Sequence, residues 1–166
     1  MEKFNKIQQK IYNTFCKDGN VWAESPRQVG KTDVLVKIAA DYISCNKKVA
    51  VKTANIQQFK MFKGRVVERL RHISPVSLIN SNLIRLNSSP ILQSYKIDLV
   101  IGDECNVEVR TAHAKHIACC WTPNKKILRF SFKDLDLEFQ NKFSRMVADG
   151  IITRESIERD LLYEGV

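Results

Sequence analysis

The stretch Ser25-Pro26-Arg27-Gln28-Val29-Gly30-Lys31-Thr32 constrains this chain more than any other. It matches a phosphate-binding loop, Gly-x4-Gly-Lys-Ser/Thr, at every position except the first, where Ser25 stands in place of glycine. Val21-Trp22-Ala23 precedes it as a short apolar strand, and Val34 to Ile43 follows as a helix. Strand, loop and helix is the context in which backbone N–H groups converge on phosphate oxygens at a helix N-terminus. In that geometry Lys31 reaches the β- and γ-phosphates, and the Thr32 hydroxyl holds Mg²⁺. Pro26 pushes Ser25 toward extended backbone, which suits the end of a strand. The Arg27 guanidinium either follows the phosphates or contacts a carboxylate that shapes the loop.

A second signal lies about 70 residues further on. Lys96-Ile97-Asp98-Leu99-Val100-Ile101-Gly102-Asp103-Glu104 reads as a buried strand ending in two carboxylates. Beside a phosphate loop, Asp103 is expected in the Mg²⁺ shell and Glu104 as the base that polarises water. Neighbouring strand residues face opposite ways, so the two acids should have different partners. His116-Ile117-Ala118-Cys119-Cys120-Trp121 is another buried strand, and Thr122 at its carboxyl end is placed to sense a γ-phosphate or to cap a turn with Pro123 and Asn124.

The remaining segments fill out an α/β pattern. Phe4, Ile7, Ile11 and Phe15 recur at helical spacing, and Gln8 or Gln9 on that helix offers an amide of the kind that reads adenine. Lys47 to Ala54 reads as a strand. Asn55 caps a helix to about Arg71, with an apolar stripe of Ile56, Phe59, Phe62, Val66 and Leu70. Ser77 to Asn80 and Asn82 to Asn87 read as short strands, Val107 to Lys115 as a short helix, and Lys126 to Phe132 as a further strand. Asp136 and Thr153 cap two closing helices, separated at Gly150. The whole, residues 1–166, reads as one phosphate-loop ATPase domain with residues 133–166 as its helical C-terminal extension. The fold expected is a mainly parallel central sheet flanked by helices on both faces.

Charge supplies the partner class. Of the net +9, all lies in residues 1–71, which carry 15 Lys or Arg against 6 Asp or Glu; residues 72–166 carry 12 of each. A one-sided positive field favours a polyanion such as DNA or RNA. The helix after Asn55 carries Lys60, Lys63, Arg65, Arg69 and Arg71 and is the first choice for contact with a nucleic-acid backbone. Nothing in the chain is long and apolar enough to cross a membrane, so no membrane partner and a soluble intracellular setting are expected. Five Cys lack the spacing of a disulfide framework or a zinc site, and Cys45, Cys105 and Cys119 read as reduced core thiols.

Together these residues resemble the ATPase domain of the large terminase subunit, the motor of viral DNA packaging, within the phosphate-loop NTPase superfamily. The deviant loop with Arg27-Gln28 before Gly30-Lys31-Thr32, the acidic strand end Ile101 to Cys105, and Trp121-Thr122-Pro123-Asn124 carry the likeness. The resemblance covers roughly residues 4–132. It implies Mg²⁺-dependent ATP hydrolysis that drives double-stranded DNA into a capsid. It assigns catalytic roles to Lys31, Glu104, Arg27 and Thr122, Mg²⁺ to Thr32 and Asp103, and ATP to Gln8, Gln9 and Ser25 through Thr32. It also implies a homo-oligomeric ring, a capsid portal or other packaging protein as partner, and a host cytoplasm or nucleus as setting. Against that family's pattern these residues are few for its ATPase domain, Gly102 interrupts the apolar run before Asp103, and no further cluster of acidic metal ligands follows Phe132, so its nuclease activity is not expected of them. A helicase-like or replication ATPase, or a non-hydrolysing nucleotide-binding scaffold, fits the same motifs.

Overall fold

In the computed structural model, residues 3–24, 30–86, 97–104, 116–121 and 151–152 are described. They form α1 (Lys6–Asp18), β1 (Val21–Glu24), α2 (Lys31–Ser44), β2 (Val49–Lys52), α3 (Ile56–Leu70), α4 (Val76–Asn82), β3 (Leu83–Arg85), β4 (Leu99–Asp103), β5 (His116–Trp121) and β6 (Ile151–Ile152). The strands make one sheet in the order β3-β2-β4-β5-β1-β6, and every pairing is parallel. The result is a small α/β domain with a parallel sheet flanked by helices.

Local chemistry sets the helix ends. Asn5 and Gln8 form a reciprocal capping box at the start of α1, satisfying two N–H groups that the helix cannot. At the far end of α2, Lys47 N–H donates to the Tyr42 carbonyl and Asn46 N–H to Ile43, with Asn46 in the left-handed region at φ 57. That pattern closes a helix while meeting its last carbonyls. Asn55 caps α3 through a bond from the Gln58 N–H, as the sequence indicates.

Packing follows from α2, which is apolar nearly all round. Val34, Leu35, Val36, Ile38, Ala39, Ala40 and Ile43 are buried, and such a helix must be covered on several sides. It lies on the sheet against β4 and β5, with α1 on one flank and α3 on the other. Consecutive buried residues in β2 (Val49, Ala50, Val51) and β4 (Leu99, Val100, Ile101) show that both faces of the sheet are closed to solvent. Helices α1, α2 and α3 supply one of those faces. The connections from β3 to β4, β4 to β5 and β5 to β6 run the opposite way along the sheet and fall outside the described residues.

Four sequence expectations change. Ser77 to Asn80 lie in helix α4, not a strand: Pro75 fixes φ at −68° ahead of it, and Ile79 and Asn82 turn inward at helical spacing. A short apolar run cannot separate the two periods by itself. Ile56 is 46% exposed and stands apart from the buried stripe of Phe62, Val66 and Leu70. Cys45 is exposed at the end of α2, as is Cys16 on α1, whereas Cys119 and Cys120 are buried in β5. Ile151–Ile152, within the stretch read as a helical extension, pairs with Trp22 and Ala23 of β1 as an edge strand. The expected elements at 107–115, 126–132, 136–148 and 153–162 lie outside the described residues. No described helix is long and apolar enough to cross a membrane.

Gly64 sits mid-way along exposed α3, and a Cβ there would meet nothing within 4 Å. Gly64→Ala should therefore stabilise the fold by about 0.5–1 kcal/mol by removing the backbone-entropy cost of a helical glycine. Thermal or urea unfolding reads this directly; no gain would mean that α3 does not stay helical through this point.

Candidate functional site

The candidate site forms at the carboxyl ends of three adjacent strands. β5 lies between β4 and β1, and the three end level: Glu24 is in register with Trp121, and Asp103 with Cys120. The first turn of α2 stands over these ends. Its cap, Gly30, has φ 85 and ψ 28, left-handed backbone that strains any side chain. A Cβ on Gly30 would also overlap the side-chain amide of Gln8.

Gln8 does more than cap α1. Its Oε1 accepts from the Asn5 N–H at 2.9 Å, and its Nε2 donates to the Gly30 carbonyl at 3.1 Å. These bonds leave the amide one N–H and one lone pair, on a residue only 8% exposed. Gln8 thus ties α1 to the end of the loop. Gln9 is exposed and donates to Asn13 at 2.6 Å.

Lys31 and Thr32 each meet one of the two acids. The Lys31 side chain is nearly buried, and its Nζ lies 3.2 Å from Glu104 Oε1. A lysine so enclosed needs a counter-charge. The Thr32 hydroxyl donates to Asp103, 3.0 Å from Oδ1 and 3.3 Å from Oδ2. Residues about 70 positions apart in sequence are brought together in two pairs. The acids do have different partners, but not because both sit on a strand. β4 ends at Asp103, and Glu104 turns away with φ 55, its N–H donating to the Cys120 carbonyl at 3.0 Å. A non-glycine residue in that region is strained, and such strain collects at functional sites.

Comparison of the chain with protein-family models, curated proteins and solved structures found no match. The site therefore rests on its own geometry. Ser25, Pro26, Arg27, Gln28, Val29 and Thr122 lie outside the described residues, as does Cys105.

Burial dominates the electrostatics of Asp103. Burial raises the Asp103 carboxyl above its ordinary range; the Thr32 hydrogen bond and the charges of Arg65 and Lys31 work against that rise, while Glu104 adds to it. A hydroxyl beside a desolvated carboxylate is the kind of hard-oxygen pair that Mg²⁺ takes with phosphate and water. No group of three or more His, Cys, Asp or Glu that could hold a metal by themselves occurs among the described residues.

Sequence reasoning missed two contributors. Arg65 on α3 pairs with Asp33, Nη1 to Oδ1 at 3.0 Å, one residue past Thr32. Arg65 also lines a cleft of about 440 Å³ with Phe4, Gln8, Asp33 and Arg69. Only the run of basic residues on α3 hinted at this, and it points equally to solvent.

The raised Asp103 pKa carries a stability sign. Folding raises the Asp103 pKa, so its contribution is fully present below the ordinary carboxylate range and is lost as pH rises through the raised folded value. Asp103→Asn should therefore melt higher than the parent at pH 7 in the absence of Mg²⁺, and the gap should close as pH falls through the carboxylate range. Thermal melts across pH 3–8 test this; a lower Tm for the variant at pH 7 contradicts it.

Proposed function

We propose that this protein binds and hydrolyses ATP with Mg²⁺, and that turnover is coupled to movement on double-stranded DNA, as in the packaging motors its motifs resemble. The observation that carries the reading is the convergence of Lys31 with Glu104 and of Thr32 with Asp103 at the ends of β4 and β5. Each pair joins a residue of the loop-and-helix motif to a residue of the acidic strand end.

The chemistry assigned to each side chain follows. Lys31 exchanges Glu104 for the β- and γ-phosphate oxygens, neutralising charge that develops in phosphoryl transfer. Its burial makes that charge more effective than it would be in water. Glu104, released from the ammonium and 43% exposed, orients the attacking water and accepts its proton. Thr32 and Asp103 would hold Mg²⁺, which would supply positive charge against the phosphate groups. Gly30 keeps its left-handed backbone so that the helix N-terminus stays open to phosphate. The DNA coupling draws on the charge excess of residues 1–71 and on the exposed Lys60 and Arg71 of the α3 region.

Lys31→Ala should weaken ATP binding and lower kcat/KM by about a hundredfold or more. Glu104→Gln should lower kcat by about 10²–10⁴ while leaving nucleotide affinity within about threefold, because it removes a base and not a phosphate contact. Steady-state phosphate release and nucleotide titration, with and without double-stranded DNA, distinguish the two. Parent-like turnover in both variants would sink the reading. Tight binding with no turnover in the parent, even with DNA, would select a nucleotide-binding scaffold instead. Strand separation without packaging-type translocation would select a replication or helicase-like ATPase.

A further inference from the structure

Asp33 is an awkward residue for a phosphate site. It lies in the first turn of α2, directly after Thr32. A carboxylate there favours the helix but repels an incoming triphosphate. The Arg65 guanidinium cancels that charge from α3, at 3.0 Å. Both side chains are about half exposed, 51% and 56%. A bridge that open adds little to stability, so either partner can leave it at little cost.

Arg65 stands where a displaced guanidinium would be useful. It shares the cleft of about 440 Å³ with Gln8, whose amide holds the Gly30 carbonyl. Its positive charge is felt at Asp103, the partner of Thr32. It thus touches the residue after Thr32, shares a cleft with the amide that holds the Gly30 carbonyl, and acts by its charge on the acidic end of β4. The planar fork of an arginine matches phosphate oxygens as well as carboxylate.

We propose that Arg65 is a phosphate-binding residue of this site, held ready on Asp33 and taken from it by a bound nucleoside triphosphate. This rests on the nucleotide-binding reading above. At rest, Asp33 keeps the long side chain beside the site, and Arg65 masks the Asp33 charge. On binding, the triphosphate competes with Asp33 for the same guanidinium.

The exchange has a signature that a simple surface bridge lacks. The test measures Mg-ATP and Mg-ADP affinity by calorimetry for the parent, Arg65→Ala, Asp33→Asn and the double variant, with unfolding curves for each. Arg65→Ala should weaken ATP binding by about tenfold or more, and ADP binding by less. Asp33→Asn should bind ATP at least as tightly as the parent, because the competitor is gone. The double variant should recover part of the Arg65→Ala loss, because Asp33 is no longer bared. Arg65→Lys, lacking the fork, should fall between parent and Arg65→Ala. Unchanged ATP affinity in Arg65→Ala overturns the role of Arg65 and leaves the nucleotide reading standing. Equal losses in Arg65→Ala and Asp33→Asn also overturn it, since that is what a merely structural bridge would produce. A folded parent that binds neither nucleotide overturns both readings.

Discussion

The enclosed ammonium of Lys31 is the constraint on which the candidate site depends. A lysine in the first turn of a helix, pressed against the end of a closed sheet, is tolerated only beside a counter-charge. Glu104 provides one, from the residue just past the end of β4, where the chain turns through a left-handed conformation. That turn is held in place by the carbonyl of Cys120 on the neighbouring strand. Strand length, strand order and helix position are therefore linked through one ion pair.

The same logic extends to α1. Gln8 completes the capping box begun by the N-cap Asn5 and also grips Gly30, so one side chain couples the start of the first helix to the cap of α2. The layer α1-α2-α3 brings three separate stretches of sequence to the site: an amide from α1, an amine and a hydroxyl from α2, and a guanidinium from α3. The sheet contributes the two carboxylates.

Much of this was legible beforehand, for identifiable reasons. Strands β4 and β5 are continuous apolar runs because both of their faces are covered, and α3 shows a clear 3.6-residue stripe from Phe59 to Leu70. The meeting of Lys31 and Thr32 with Glu104 and Asp103 followed from motif chemistry, which fixes what must be near what. Three things were not legible. Helix α4 has too few residues for its period to outvote a strand reading. Edge strand β6 is two residues long, and its pairing with β1 is a purely tertiary event. The Arg65–Asp33 contact depends on how α3 crosses α2, and a list of basic residues carries no such angle.

The cysteines of the described residues give the molecule a built-in chemical clock. Cys16 and Cys45 lie at the surface, while Cys119 and Cys120 are sealed in β5, where burial drives the Cys120 thiol well above its usual range. Thiolate, not thiol, attacks an alkylating reagent. Labelling of the outer pair therefore marks time in the native state, and labelling of the inner pair counts the moments when the strand between β4 and β1 comes apart.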